Sequence, residues 1–147
     1  MSSKFSKNQL EKYSRQIILK NIGILGQKKI LNSKILIIGM GGLGCPIAEF
    51  LTRSGVGLLG IVDHDLVSLS NIHRQTLYDE KNIGKLKVKA AKKKLANINS
   101  KTKINIYSFK LDKKKFTKII KNYDYIVDGT DNFETKFLIN DISLKYK

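Results

Sequence analysis

Apolar residues recur along this chain with alternating helical and strand spacing, and the order of those segments outlines a fold. Leu10, Tyr13 and Ile17 fall on one helical face. Ser6 and Gln9 form a capping-box pattern in front of them, so a helix is predicted from Ser6 to about Leu19. It belongs to a helical segment over residues 6–31. Lys34–Ile38 is a short continuous apolar run, the mark of a strand buried on both faces. Leu43, Ile47, Phe50 and Leu51 then predict a helix from about Gly42 to Ser54. Pro46, the single proline, fits its first turn, where a missing N–H costs least. Gly55, Val56 and Gly57 end that helix, and Leu58–Val62 reads as a second strand. Residues 68–82 are polar and irregular. Val88, Ala91, Leu95 and Ile98 predict a helix over 85–98. Ile104 and Ile106, with Phe109 as an extension, predict a third strand. Asp112 caps a helix carrying Phe116, Ile119 and Ile120, Tyr125–Val127 is a fourth strand, and Phe133–Tyr146 a last helix, in which or just after which the chain ends.

After the N-terminal helix, strands and helices alternate. Right-handed crossovers turn that order into an α/β fold, a Rossmann-like doubly wound parallel sheet with strand order 3-2-1-4. A single domain over residues 1–147 is expected, with its core over 34–147 and no linker or internal repeat. Strands 1 and 4 flank the topological switch point. The loops after them, Gly39–Gly44 and Gly129–Asn132, are predicted to converge on one crevice.

Composition narrows the class. At 147 residues, 41% hydrophobic and 27% charged, the chain reads as globular. No apolar run approaches the ~18 residues of a membrane span. Met1–Gln9 lacks the apolar core of a secretory signal. The single cysteine, Cys45, excludes an intramolecular disulfide and a multi-cysteine zinc site. Together these features predict a cytoplasmic protein without membrane attachment. The net charge is +16, but only Arg15, Arg53 and Arg74 are arginines. Specific nucleic-acid sites favour arginine forks and stacking aromatics. Lysines spread over several segments, with abundant Ile and Asn, instead read as compositional bias. Lys92–Lys94 and Lys113–Lys115 read as solvated helix faces.

Candidate chemistry starts at the glycines. Gly39, Gly41 and Gly44 fit G-x-G-x-x-G between a strand and a helix, with Gly42 inside the turn. Such a helix start offers N–H groups and a positive dipole end to an anion. Asp63, at the end of the second strand, suits both hydroxyls of a ribose. Asp65 is an alternative for the ribose, for a metal, or for a loop cap. These residues alone fit NAD and an oxidoreductase domain. They fit equally a non-catalytic nucleotide-binding or dimerisation module. Three further groups favour a triphosphate. Arg74 follows the second strand in Ser70-Asn71-Ile72-His73-Arg74, Lys87 opens the next helix, and Asp131 sits beyond the fourth strand. Two cations can neutralise phosphates, and a carboxylate can hold Mg²⁺. Positive charge there would stabilise attack at an α-phosphorus. His64 reads as a loop residue, His73 as a polar neighbour of Arg74, and Cys45 as a packing residue.

Several stretches together carry a resemblance: Tyr13–Leu19, the Gly39–Gly44 turn, Asp63-His64-Asp65, Ser70–Gln75, Gly84–Lys87 and Thr130–Thr135. In order and spacing they resemble the ubiquitin-activating-like adenylyltransferases. Bacterial members include the molybdopterin-synthase adenylyltransferase and the sulfur-carrier adenylyltransferase of thiamine biosynthesis. The resemblance runs from about residue 8 to the end. It implies ATP, Mg²⁺ and a small ubiquitin-like sulfur-carrier protein ending in Gly-Gly. The carrier's carboxylate attacks the α-phosphate, becomes an acyl-adenylate, and then receives sulfur, with a sulfurtransferase as a further implied partner. By motif position, Gly42 lies against the phosphates and Asp63 binds the ribose. Ser70, Asn71, Ile72, His73 and Arg74 line the nucleotide, with Asn71 and Arg74 on phosphates. Lys87 contacts phosphates, Asp131 binds Mg²⁺, and Asn132 lies beside it. The arginine matching Arg15 reaches into the other subunit of a homodimer.

Family members continue well beyond the length seen here, so the C-terminal part of the family fold is expected to be absent. Its paired cysteines are absent too, and structural zinc is therefore not expected in this chain. The fourth strand should then be an open edge, an aggregation hazard that predicts marginal stability for the chain alone.

Overall fold

The computed structural model describes residues 5–146; Met1–Lys4 and Lys147, parts of the N-terminal and C-terminal stretches read above, lie outside the described residues. The elements in chain order are α1 Lys7–Lys12, α2 Ser14–Ile17, α3 Gly23–Asn32, β1 Lys34–Ile38, α4 Gly44–Ser54, β2 Leu58–Val62, α5 Lys87–Ile98, β3 Lys103–Tyr107, α6 Lys113–Ile120, β4 Tyr125–Asp128 and α7 Phe133–Tyr146. The four strands form one parallel sheet in the order β3-β2-β1-β4, as predicted. Ile38 pairs with Val62 on one side and Asp128 on the other, so three strands finish level and their following loops leave from one edge.

Period-two alternation divides β1 between two hydrophobic layers. Ile35 and Ile37 join Leu59 and Ile61 under Ala48 of α4 and Val88, Ala91 and Leu95 of α5. Leu36 and Ile38 join Val62 under Phe116 and Ile120 of α6 and Ile139 and Ile142 of α7. Both faces of the central strand are covered, which is why its sequence is an unbroken apolar run. The outer edges of β3 and β4 are open, and Tyr125 on β4 is exposed.

Local signals hold at several ends. Gln9 N–H donates to Ser6 Oγ while Ser6 N–H donates to Gln9 Oε1, completing the capping box. Lys115 N–H donates to Asp112 Oδ1 at 2.7 Å, the cap expected for α6. Other ends shift. The helix read as continuous from Ser6 to Leu19 breaks at Tyr13, and a third helix fills 23–32. At the break the Tyr13 side chain is buried and lies over Gly55, where a Cβ would come within 2.6 Å of the ring. Its hydroxyl accepts a hydrogen bond from Asn99 Nδ2, which also donates to the Thr52 carbonyl. Burying this ring holds α1 and α2 on the far ends of α4 and α5. The α4 start moves from Gly42 to Gly44, and the α5 start from Lys85 to Lys87, because Leu86 bridges Leu66 in extended conformation. Asp63 lies one residue past β2, and Phe109 lies outside β3.

Tyr13→Phe removes one side of that buried hydrogen bond and keeps the ring in place. A loss of about 1 kcal/mol is expected, seen as a melting temperature lower by roughly 3 °C in thermal unfolding.

Candidate functional site

The loops after β1 and β4 interlock through three glycines. Gly39 has φ +88°, a conformation that glycine adopts without steric cost. A Cβ there would also stand 2.8 Å from the Gly129 carbonyl oxygen. A Cβ on Gly44 would strike the Gly39 carbonyl, and one on Gly129 would stand 2.9 Å from the same oxygen. The close backbone approach fixes both loops at the mouth of the sheet. Gly41 and Gly42 differ: added Cβ atoms would only touch Gln75 Nε2 at 3.8 Å and Arg74 Cδ at 3.7 Å. These two bare stretches of backbone line an open cleft of about 960 Å³.

Ten of the sequence-predicted site residues line that cleft: Gly39, Gly41, Gly42, Asp63, Asp65, Asn71, Arg74, Lys87, Asp131 and Asn132. Gly44 is buried in the turn and shapes the cleft from behind. Ser70, Ile72 and His73, read as nucleotide-lining, stand outside the wall. Each supports its neighbour: the Ser70 carbonyl accepts from Arg74 Nη1 at 2.8 Å, and His73 Nε2 lies 3.4 Å from the same nitrogen. Ile72 packs into the core beneath. The 3₁₀ turn Leu69–Asn71 and the turn after it present Asn71, Arg74 and Gln75 to the cleft at helical spacing, so a contiguous sequence stretch cannot all face it. Arg15 is exposed and not among the lining residues. Tyr13, two residues earlier, is anchored at Gly55, the end of α4 opposite Gly44. An 11-residue helix separates those ends by about 16 Å.

The carboxylates divide into committed and available groups. Asp63 accepts from Met40 N–H at 2.7 Å and from Asp65 N–H at 2.8 Å, tying the glycine turn to the end of β2. Asp65 pairs with Lys87 at 2.9 Å, and the Lys87 side chain is only 8% exposed. Asp63, His64 and Asp65 bring possible ligand atoms within 4.8 Å of one another. Both carboxylates already carry these partners, so the cluster is not a ready cation cage. Asp128 accepts from Thr130 N–H and Oγ1 and from Lys136 Nζ. Burial pushes its carboxyl up, but those hydrogen bonds outweigh burial and hold it below the ordinary value. Asp131, three residues on, is exposed and has no hydrogen bond or ion pair among the described residues. Asp131 and Glu134, in the first turn of α7, are the cleft-lining carboxylates left without such partners among the described residues, and Asp131 stands in the loop directly after β4.

The lowered Asp128 value has a definite sign. Its interactions contribute stability above the unfolded carboxylate value, near pH 4, and lose it as pH falls through the folded value. Wild type should therefore exceed Asp128→Asn in denaturant stability at pH 7, and the gap should shrink as pH is lowered below the ordinary carboxylate range.

Gln75 closes the Ser70–Gln75 stretch that carries the resemblance, but no site role is read for it from the sequence. It is 3% exposed, lines the cleft beside Gly41, and its Oε1 has no partner among the described residues. Phe109, Lys110 and Leu111 of the β3–α6 loop form another wall. No motif marks them; only the position of their loop at the switch-point edge brings them in. Cys45 is buried with Sγ 3.4 Å from the Met40 carbonyl, and burial pushes its thiol up, consistent with packing.

A profile of the ThiF family matches residues 13–147. This chain belongs to the ThiF family. The adenylyltransferase and sulfurtransferase MOCS3 of Dictyostelium discoideum is 45% identical over 134 residues, covering 91% of this chain and 32% of that protein. The adenylyltransferase and sulfurtransferase UBA4 of Debaryomyces hansenii is 43% identical over 141 residues, covering 95% and 32%. The chain thus spans about a third of the length of these ThiF relatives. Among solved structures, PaaA superposes with TM-score 0.83 at 30% identity, covering 99% of this chain and 48% of PaaA. Escherichia coli MccB, solved with ATP, superposes with TM-score 0.81 at 26% identity, covering 91% and 42%. The family resemblance read from the motifs is borne out. Among the described residues no helix is long and apolar enough to cross a membrane.

Proposed function

We propose that the cleft binds ATP with Mg²⁺ and adenylates the C-terminal Gly-Gly carboxylate of a small ubiquitin-like sulfur carrier. The carrying observation is one cleft lined by bare glycine backbone, Arg74 against Gly42, and the unpartnered carboxylate of Asp131. A dinucleotide would leave the last two without work. The phosphates would lie along Gly41, Gly42 and the start of α4, where N–H groups and the helix dipole favour negative charge. Arg74 keeps donors beyond the one spent on Ser70 and would take phosphate oxygens. Asn71 uses Oδ1 on Ser68 N–H, which turns its amide N–H₂ to a ligand. Each Asp63 oxygen holds one backbone N–H and retains a lone pair for a ribose hydroxyl. Lys87 would add positive charge beside the phosphates, with Asp65 holding its ammonium in place.

Asp131, with Asn132 beside it, would hold Mg²⁺, which supplies charge neutralisation on the phosphates. The carrier carboxylate oxygen bonds to the α-phosphorus, the bond to the bridging oxygen breaks, and pyrophosphate leaves with that electron pair. The product is an acyl-adenylate. Arg15 would serve the cleft of a second copy in a homodimer. The anchoring of Tyr13, two residues earlier, at the far end of α4 supports that reading over action on its own cleft. Sulfur transfer to the activated end, in molybdopterin or thiamine biosynthesis and in a cytoplasmic setting, completes the reading.

The test is carrier-dependent exchange of labelled pyrophosphate into ATP, with direct binding of ATP-Mg²⁺ and NAD measured alongside. Exchange in wild type and its loss in Asp131→Ala is the expected result. Tight NAD binding with none of ATP would overturn the proposal, and exchange undiminished in Asp131→Ala would overturn the metal assignment.

A further inference from the structure

Positive charge in this protein is unevenly placed. Residues 85–121 hold fourteen lysines and one carboxylate, Asp112, and so carry +13 of the formal +16. The fold gathers this stretch at one end of the molecule. It comprises α5 on one face of the sheet, the edge strand β3, and α6 on the other face. Lys89, Lys92, Lys93 and Lys94 are exposed on α5. Lys101 and Lys103 are exposed at the open β3 edge. Lys113, Lys114, Lys118 and Lys121 are exposed on or at the end of α6. Among the described residues, the ion pairs of this stretch are Lys87–Asp65, inside the cleft, and Lys115–Asp112. Like charges brought this close cost folding energy, and solubility needs far fewer of them.

What this end lacks narrows the partner. Among the described residues no large hydrophobic side chain between 85 and 121 is exposed. Protein interfaces centre on apolar and aromatic residues and are depleted in lysine. Membrane-surface elements likewise need an apolar anchor beside their basic residues. The stretch contains no arginine, and its aromatics, Tyr107, Phe109 and Phe116, are half-buried or buried. It therefore has neither the forks that read base edges nor a platform for stacked bases. Point charges without forks suit one chemistry, the phosphodiester backbone of a nucleic acid, bound without regard to sequence.

We propose that the α5–β3–α6 end of this chain is a sequence-independent docking surface for nucleic acid, separate from the nucleotide cleft. The proposal differs from specific recognition, against which the scarcity of arginine argues. It stands on charge placement alone and does not depend on adenylation.

The test is fluorescence anisotropy of the 147-residue chain with labelled RNA and DNA duplexes, each in two unrelated sequences. Affinity should be equal for the two sequences of either duplex and should fall about 10²-fold between 50 and 200 mM salt, the drop expected for four neutralised phosphates. A Lys93→Gln/Lys114→Gln/Lys118→Gln variant should flatten the salt slope by about one for each phosphate it no longer neutralises. A control removing the same charge from the N-terminal segment, Lys7→Gln/Lys20→Gln/Lys29→Gln, should keep the wild-type slope. The RNA and DNA arms show which backbone is preferred, and either preference supports the proposal. Three results would overturn it: a control that loses as much as the α5–α6 variant, polyglutamate or phosphatidylserine vesicles bound more tightly than either duplex, or no binding at 50 mM salt.

Discussion

Replacing Arg74 with alanine is expected to weaken ATP binding about 10- to 100-fold while leaving the melting temperature unchanged. Hydrogen bonds to charged groups contribute about 1.5–3 kcal/mol each, and about 1.4 kcal/mol corresponds to tenfold in affinity. The Arg74 side chain lies across the glycine turn, with Cδ 3.7 Å from where a Gly42 Cβ would sit. Among the described residues it hydrogen-bonds to the Ser70 carbonyl and lies against the neighbouring His73 ring, and it belongs to neither buried cluster. Truncation therefore strips donors from the ligand site without opening the core. Arg74→Lys should recover part of the affinity as a point charge but not the planar fork. Calorimetric titration with ATP-Mg²⁺, paired with thermal unfolding, measures both quantities. Equal ATP affinity in Arg74→Ala and wild type would remove Arg74 from the phosphate site.

Gly44→Ala is expected to cost about 3 kcal/mol or more of stability, at the upper end of overpacking effects, and to lower the melting temperature by roughly 10 °C. The new methyl group would meet the backbone carbonyl of Gly39, which the Gly129 loop holds from the other side. No flexible side chain is available to give way, so the turn itself must move. Gly42→Ala, two residues earlier in the same motif, should behave oppositely. Its methyl group meets only the Arg74 side chain at ordinary van der Waals distance, so stability should change by less than about 1 kcal/mol. ATP affinity should still fall, because the methyl group occupies the bare backbone assigned to phosphate. Denaturant unfolding of both variants separates the two roles. Comparable stability losses would show that the glycines share one structural task.

The motif alone does not distinguish those glycines. G-x-G-x-x-G marks positions where a side chain is unwelcome. Whether a backbone or a ligand excludes it depends on the Gly129 loop, some 85 residues away in the chain. The same holds for Tyr13. Its helical spacing with Leu10 and Ile17 is legible, but the break there follows from a notch at Gly55 and a donor at Asn99. Lys87 and Asp65 each read as polar site residues, and their pairing at 2.9 Å emerges only when α5 folds back beside the end of β2.

Local pattern suffices for the four strands and their order, for the helices that cover the sheet to within a few residues, and for the edge of the sheet where chemistry gathers; it does not suffice for the break in the N-terminal helices. Apolar periodicity reports which faces are buried, and the handedness of β–α–β crossovers leaves few ways to join them. Commitment is not local. Which carboxylates are spent on backbone or lysine and which are left open, which of Ser70–Arg74 face the cleft, and which lysines share one end of the molecule depend on contacts between distant segments. Electrostatics and hydrogen bonding act through space, and only the folded chain sets those distances.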